Sequence, residues 1–566
     1  MGSAVQAVSL TSSAEALAWL SRMKEREPQE MMIEALPALQ ELVSAPRPVY
    51  VQLGILETLR FPLLRAATGL VSTCAFRAVP MSENEAERSR PLIDMLHALR
   101  DGYSCLFSLA PVDLVRVADR YSSGDFRSDP MLRDRLAAFS SQVKPVSAKL
   151  LVAQRMISMQ ALYLEYCYRL RRVIPEADWE LLMQYAKQIK QSDLLEEGVF
   201  DPMSPEYRVN GRMALVIALL LRLAHPESLL SSSFELVRKI CRRLVLKVKF
   251  RLEEGESASK PSSWPSVATS AMAVRLDTRA LLEEVKKIGS ELSSNTFSPT
   301  LGLDTRFSAA PTSQTIQDLL IAWGVPARTA TAWRAPLTEN IRVVAGYHAM
   351  AGAMAKPAAI FDPNATHGSS LYQYRRYDTD HASSINMNKE DPSLQRLRLL
   401  MEVAESWQTK GENATGLKCV RLARHPRLQL EQLCFISTDP DSDGRRLYLA
   451  YIDSLQQTIP LEASEQQVQQ ITLRLLNGIP RLLSIKPGSG SFEDAFLLGV
   501  IPNSGGQGGS GLHQLDLEQS SLILPLAHYP PGTITDMLFD GSLYRVQIGS
   551  QLFRGYDFDQ VSFKLL

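Results

Sequence analysis

The sequence predicts an α+β multidomain protein, in which an all-α N-terminal region is followed by a C-terminal antiparallel β-barrel. With 566 residues the chain is too long for one hydrophobic core, and a typical domain of about 150 residues suggests two to four domains. Apolar residues recur at helical spacing in the first half and alternate in short runs near the C-terminus. The change falls at residues 407–422, where two strand-like runs flank a polar turn bracketed by Gly411 and Gly416.

Overall charge and hydrophobicity exclude several classes of partner. The 61 basic and 61 acidic side chains cancel, so no DNA partner is expected, and nucleic acid or an anionic membrane would need a local patch. The longest apolar run, 213–221, is broken by Arg222 and is shorter than the roughly 20 residues that cross a bilayer. We therefore predict a buried helix there and no transmembrane segment. Residues 1–10 lack signal-peptide features, so a cytoplasmic location is expected.

The sequence contains none of the common catalytic motifs. It lacks the zinc-protease, nucleophile-elbow, Walker and Rossmann patterns, so we predict a non-enzymatic protein with no catalytic residue and no cofactor. The glycine-rich residues 505–511 lack the lysine of a phosphate-binding loop and predict a flexible segment. Six scattered cysteines without CxxC spacing predict buried free thiols and no metal site.

Helix signals dominate the first half. Ser12 and Glu15 have the spacing of a capping box, and Ser232 with Glu235 repeats it. Residues 146–173 carry one apolar stripe and predict a long central helix. Further helices are predicted at 31–43, 50–71, 83–100 and 131–139.

A basic run follows the second of these capping patterns, and near Leu244 the helical spacing changes to the alternation of a strand. The run has two interpretations, an anion-binding patch or a solvated face neutralised by Glu253, Glu254 and Glu256. Its members are Arg238, Lys239, Arg242, Arg243, Lys247, Lys249 and Arg251.

Punctuation by proline, glycine and serine predicts the domain boundaries. We expect an all-α helical domain, a linker with a connecting helix, the start of a barrel module (helix, arginine loop and first strand), an irregular insertion and a β-barrel-rich domain, at residues 1–254, 255–310, 311–355, 356–392 and 393–566. Short strands are predicted at 340–348, 433–437, 447–452, 468–475, 481–485, 495–501, 521–525, 533–539, 543–548 and 560–565.

Three features of the second half occur together. A loop carrying Arg328 and Arg334 precedes an apolar strand that ends at Gly346, a later turn spans 412–416, and strands of a barrel follow. This arrangement resembles a diverged PilZ-type module, the cyclic di-GMP-binding barrel of bacteria. It is more closely similar to long proteobacterial proteins in which an extended helical region precedes such a module, and the resemblance is strongest from about residue 276 to residue 454.

The resemblance implies a ligand site. In PilZ modules an Arg-x-x-x-Arg loop wraps the phosphates and guanines of the dinucleotide, and an Asp/Asn-x-Ser-x-x-Gly turn completes the site. The corresponding ligand-binding residues would be Arg328, Arg334, Asn413 and Gly416. The two arginines are separated by five residues instead of three, and Gly411 stands where the motif has Asp or Asn, with Asn413 at the serine position.

Two main hypotheses follow. In the first, the chain is a cytoplasmic signalling effector that senses, or once sensed, cyclic di-GMP and relays its state to an unidentified protein partner. In the second, it is a ligand-independent adaptor or scaffold whose helical and barrel surfaces bind proteins. A weaker third interpretation is an RNA- or membrane-associated regulator that uses the basic run. Arg375, Arg376 and Arg424 are either replacements for missing motif arginines or surface residues.

Overall fold

The chain forms two compact units in a computed structural model. One unit comprises residues 1–77 and 81–330, and the other residues 78–80 and 331–566. The structure describes residues 10–45, 47–115, 146–201, 203, 209–255, 264–294, 298–301, 309–324, 333–354, 400, 403–422, 426–438, 447–458, 467–486, 488, 490, 492–500, 512, 515–539 and 542–566.

The first unit is mainly helical, as the sequence predicts. Its described helices are α1 (Ser13–Met23), α2 (Pro28–Ser44), α3 (Val49–Cys74), α4 (Glu83–Phe107), α5 (Ala148–Arg169), α6 (Glu176–Gln191), α7 (Gly211–Leu223), α8 (Ser231–Leu244), α9 (Arg279–Ser294) and α10 (Ala309–Ala322). The helix predicted at 131–139 lies outside the described residues.

The predicted helix starts are partly correct. Ser12 caps α1 by accepting a hydrogen bond from the Glu15 amide at 3.3 Å, but the Glu15 carboxylate accepts from the Thr11 amide instead of closing the box on Ser12. The capping box predicted at Ser232 is wrong. Helix α8 begins two residues earlier, with Leu230 at the cap position, and leucine has no side chain able to cap it.

Helix α5 occupies the centre of the first unit, but its buried residues do not form the single apolar stripe that the sequence predicts. Most of its 22 residues are buried, on every side of the helix. Arg155 is among them, and its guanidinium donates to Glu57 at 3.0 Å and to Asp201 at 3.1 Å. Arg60 on α3 completes this buried network with a 2.8 Å hydrogen bond to Asp201. The charges are tolerated inside because each guanidinium meets carboxylates.

Five short strands accompany these helices. They are β1 (Leu114–Val115), β2 (Val146–Ser147), β3 (Lys249–Glu254), β4 (Ser266–Ala268) and β5 (Met272–Asp277). The predicted change from helix to strand is confirmed: α8 ends at Leu244, and β3 follows a single 3-10 turn. Strands β3 and β4 flank β5 in an antiparallel sheet that the sequence did not predict.

Residues that we assigned to a linker and to the start of the barrel module pack within the first unit. Strand β5 pairs with β3, and Thr315 of α10 lies 2.9 Å from the Ser233 hydroxyl of α8. Both contacts are made by residues before 330, where the first unit ends. The domain boundaries themselves stay a prediction.

The second unit contains two closed, antiparallel, six-stranded barrels. The predicted C-terminal antiparallel barrel is therefore confirmed, and it is divided in two. The first barrel has the ring order β10-β11-β8-β7-β6-β9, and the second β12-β13-β14-β17-β16-β15. The strands are β6 (Asn340–Ala345), β7 (Glu405–Asn413), β8 (Gly416–Arg421), β9 (Leu433–Ser437), β10 (Leu447–Gln457), β11 (Gln469–Leu475), β12 (Ile479–Ile485), β13 (Glu493–Gly499), β14 (Ser521–Pro525), β15 (Ile534–Phe539), β16 (Ser542–Arg554) and β17 (Phe558–Leu565).

A helix that the sequence did not predict, α11 (Tyr347–Met354), follows β6 and joins the two barrels. Tyr347 and Phe435 belong to the same buried cluster as Phe496 and Phe558 of the second barrel. The carboxylate of Asp557 accepts hydrogen bonds from the amides of Tyr347, at 2.6 Å, and Leu433, at 2.9 Å. Burial raises the pKa of Asp557, and these two amides oppose that rise.

The prediction of buried free thiols is confirmed except at one position. Cys74, Cys167, Cys241, Cys419 and Cys434 are buried free thiols, whereas the free thiol of Cys105 is exposed. Among the described residues, no group of three or more His, Cys, Asp or Glu side chains is placed to hold a metal ion. Within the same part of the chain, no helix has the length and apolarity needed to cross a membrane.

Candidate functional site

The hairpin of β7 and β8 is the predicted strand–turn–strand. Along β7, Trp407 and Thr409 are buried while Gln408 and Lys410 are exposed, which is the alternation expected of a strand with one face inside a barrel. A bulge interrupts the ladder between Thr409 and Gly411. It lies next to the hairpin end and increases the local twist of the strand.

The turn of the hairpin depends on Asn413. Its side-chain oxygen accepts from the Thr415 amide at 2.9 Å and from the Thr415 hydroxyl at 3.2 Å. This is an Asx-type turn, in which a short polar side chain replaces a backbone acceptor. Asn413 therefore has a structural role at the motif's serine position.

Gly416 is required by a close approach of backbone. It begins β8 opposite Arg474 of β11, and a Cβ atom placed on it would lie against the carbonyl oxygen of Leu473, closer than the 3.0 Å that real Cβ atoms respect. No other residue fits without moving β11. Gly416, which the resemblance assigns to the motif glycine, is therefore required for a steric reason.

Arg334 is held at this hairpin by its backbone. Its amide donates to the carbonyl of Glu412 at 2.8 Å, and the Glu412 amide donates back at 3.0 Å. The two residues form an isolated antiparallel bridge. The carboxylate of Glu412 also accepts from the Leu337 amide at 3.1 Å. Residues far apart in the chain are thereby fixed beside each other.

Trp333 lies over the hairpin, beside Gly411. A Cβ atom on Gly411 would be 3.7 Å from Cε3 of the Trp333 indole. The ammonium group of Lys418, which pairs with Gly411 across the ladder, lies 4.5 Å from the centre of the indole ring. This is a cation–π contact. The indole remains 38% exposed.

Positive charge gathers at this end of the barrel. Arg334, Lys410 and Lys418 are exposed, and Glu412 is the acidic residue at this end of the hairpin. Within the described ranges, the guanidinium of Arg334 has no hydrogen bond or ion pair. We call Trp333, Arg334, Lys410, Asn413 and Lys418 the hairpin site. Its cations can bind phosphate, and its indole can stack on a planar ring.

The structure brings three of the four predicted ligand-binding residues together. Arg334, Asn413 and Gly416 all lie at the hairpin, whereas Arg328 lies outside the described residues. Arg375, Arg376 and Arg424 lie outside them as well. Sequence reasoning missed Trp333 and Lys418, although an aromatic residue next to the loop arginine was a usable signal.

Arg421, near the opposite end of β8, illustrates an arginine that is not available to a ligand. It is buried and binds the Glu405 carboxylate through two nitrogens, at 2.6 and 2.8 Å. It also donates to the Pro426 carbonyl and to Gln469. All of these contacts stabilise the barrel wall.

The basic run of the first unit is paired in part, and its partners are other acids than predicted. Glu253 pairs with Arg275 and Glu254 with Lys187, while Glu256 lies outside the described residues. Arg238 and Arg242 lie beside Glu165, and Lys247 pairs with Glu284. Glu165 and Glu284 lie on helices distant in sequence, so local spacing could not identify them, whereas Arg238 also pairs with Glu235, three residues before it on the same helix.

Comparison with known proteins gives a match to a family model. Residues 14–254, a little under half of the chain, match the family model of the N-terminal domain of the cyclic-di-GMP receptor FimW. No curated protein and no solved structure matches the chain. The match covers the helical region, and the two barrels follow it. Together these findings confirm the resemblance to long PilZ-like proteins.

Proposed function

We propose that the chain is a non-enzymatic, cytoplasmic signalling effector that binds cyclic di-GMP at the hairpin site and relays its state to a protein partner. The similarity of residues 14–254 to a cyclic di-GMP receptor domain supports this ligand. The single observation that carries the location is the backbone bridge between Arg334 and Glu412. It places an exposed arginine at the turn where the PilZ resemblance expects the nucleotide.

The chemistry of the hairpin site suits this dinucleotide. Cyclic di-GMP presents two phosphates and two guanine rings. The guanidinium of Arg334 can donate to a phosphate in a bidentate manner, and Lys410 and Lys418 add point charges. The exposed part of Trp333 offers a surface for one guanine.

A path for the relay exists within the second unit. Strand β6 follows the loop that carries Arg334, and it leads directly into α11. Tyr347 of α11 donates its hydroxyl to the Asp494 carbonyl of the second barrel at 2.6 Å, and its ring packs edge-on against Phe496. Ligand binding that shifts β6 would therefore also shift the contacts of Tyr347 with the second barrel.

Calorimetric titration of the full chain with cyclic di-GMP tests this function, with GTP and cyclic di-AMP as controls. We expect selective binding, micromolar or tighter. Arg334→Ala should weaken it by several-fold or more and leave thermal unfolding nearly unchanged, since an exposed loop arginine contributes little to the core. Arg545→Ala, an exposed arginine of the second barrel, is the matched control and should bind normally.

Two results would contradict the proposal. One is the absence of heat and of any thermal shift at high cyclic di-GMP concentration. The other is a loss of folding stability in Arg334→Ala that accounts for the whole loss of binding, because Arg334 would then be a structural residue.

The second candidate function is a ligand-independent adaptor, and one observation favours it. Gly411 stands where the motif has Asp or Asn, and the Trp333 indole lies beside it. A site filled in this way would leave the barrel as a surface for proteins. A wild-type chain that binds no cyclic di-GMP would favour this function over the first.

A further inference from the structure

The first unit contains a cavity of about 340 Å³ between α3, α5, α7 and α8. This is within the range of ligand pockets, roughly 300–1,000 Å³. Helices α3 and α5 run in the same direction along it, since Glu57 contacts Arg155 and Thr68 contacts Tyr166. The lining residues of α3 extend from Arg60 to Val71, which corresponds to about 16 Å of helix. The cavity is therefore a slot, and we call it the helical slot.

The middle of the helical slot is apolar. Its one polar pair there is satisfied internally, because the hydroxyls of Thr68 and Tyr166 lie 3.0 Å apart. The apolar lining residues include Leu64, Met159, Leu162, Met213, Ile217 and Leu221. An apolar wall of this length suits an alkyl chain.

One end of the helical slot is closed by an ion pair whose two charges cancel. Arg60 and Asp201 line it, and their side chains are only 1% and 7% exposed. The two carboxylate oxygens of Asp201 accept hydrogen bonds, one from Arg60 and the other from Arg155. Burial would raise the pKa of this carboxyl, but the two guanidiniums lower it to about 2. This end offers no charge to a ligand.

The other end is cationic and opens to solvent. Three arginines line it, and their side chains become progressively more exposed, from 13% at Arg169 to 22% at Arg238 and 36% at Arg242. They face Glu165, which is 6% exposed, and Glu235. Burial alone would raise the pKa of Glu165, yet the three guanidiniums lower it below its ordinary value. Three positive charges thus face two negative ones.

Arg242 forms the weakest ion pair of these three arginines. Arg169 and Arg238 approach Glu235 within 2.6 and 2.8 Å. Over the described residues, the guanidinium of Arg242 has one ion pair, to Glu165 at 3.6 Å, which is too long for a hydrogen bond. It retains donors for an anion at the open end.

We propose that the helical slot binds a single-chain amphiphile with an anionic head group, its carboxylate or phosphate at Arg242 and its alkyl chain along the apolar walls. This site is separate from the hairpin site and does not depend on it. Cyclic di-GMP has no alkyl part to occupy such walls. The ligand's charge would balance the third arginine, and its chain would fill a volume that is costly to leave empty.

Titration of the full chain with dodecanoate and with dodecyl phosphate, below their micelle concentrations, tests this inference. We expect saturable binding with a rise in unfolding temperature, and no binding of dodecyltrimethylammonium, which has the same chain and the opposite charge. The anion that binds more tightly identifies the preferred head group. Arg242→Gln should weaken binding by several-fold or more.

Two further variants distinguish binding of the ligand's alkyl chain from binding of its head group. Ala161→Leu, at a half-buried lining position, should narrow the slot and weaken binding while Arg242 is kept. Arg243→Gln changes an exposed arginine that does not line the slot and should bind like the wild type.

The inference is overturned if neither anion binds the wild-type chain, or if the cationic amphiphile binds equally well. It is also overturned if Arg242→Gln weakens cyclic di-GMP binding while Arg334→Ala does not, since the slot would then be the nucleotide site. Loss of binding in Arg243→Gln equal to that in Arg242→Gln would show only a diffuse surface attraction.

Discussion

In the first unit Arg60 and Arg155 are buried between carboxylates, whereas in the second unit Arg334 is exposed and is itself held only through its backbone. The first kind of arginine stabilises the fold, because removing its partner leaves a buried charge that neither a carboxylate nor water compensates. The second kind is available to a ligand. The second unit also contains the first kind, since Arg421 is buried against Glu405. Burial and pairing, rather than the fold, therefore separate structural arginines from binding arginines.

The largest expected effect comes from breaking the buried network. Glu57→Ala removes one of the two carboxylates that Arg155 and Arg60 share, and should destabilise the first unit by about 3–5 kcal/mol. Chemical denaturation followed by circular dichroism measures it. Glu30→Ala is the control, because Glu30 pairs with Arg26 at the surface and such pairs contribute only about 0–1 kcal/mol. Equal effects of the two variants would show that burial does not distinguish them.

A smaller effect is expected at the hairpin turn. Gly416→Ala forces a methyl group against the Leu473 carbonyl, and should destabilise the second unit by about 1–3 kcal/mol. Gly352→Ala, in α11 with no atom within 4 Å of the added carbon, is the matched control and should not destabilise. If Gly416→Ala unfolds like the wild type, the close approach of β11 does not require glycine.

A further effect is expected in the pH dependence of the second unit. Burial, and then the nearby Asp453, raise the pKa of Glu431 from 4.5 to about 7. The folded state therefore holds this proton more tightly than the unfolded state, so its stabilising effect is full at low pH and lost as pH rises through about 7. The unfolding temperature should fall from about pH 5 to pH 8.

Glu431→Gln identifies the source of that slope. The variant should show a shallower fall over the same pH range, with a remainder from Asp557, whose pKa burial also raises. An unchanged slope would mean that Glu431 does not titrate in this range.

Much of the second unit could be predicted from the sequence, because barrel strands alternate and are punctuated by turns. Leu433–Ser437 and Ser521–Pro525 have the predicted bounds. The division into two rings could not be predicted, since it depends on distant pairs such as β14 with β17. Helix α11 was missed because its small residues, such as Ala351 and Gly352, have no amphipathic pattern.

The sites were harder to predict than the fold. Arg334, Asn413 and Gly416 followed from the PilZ resemblance, but the contact of Trp333 with Lys418 arises only once the backbone bridge has formed. The partner of Arg242 is Glu165, on a helix much earlier in the chain. Local patterns record residue types and spacing, whereas both contacts depend on tertiary packing.

Hydrogen–deuterium exchange with and without saturating cyclic di-GMP tests the central claim most directly, because it locates the ligand on the full chain. We expect slower exchange in peptides covering 333–339 and 407–418, and unchanged exchange at 158–169 and 238–242 of the helical slot. Protection of the helical peptides alone, or of no peptide, would contradict binding at the hairpin site.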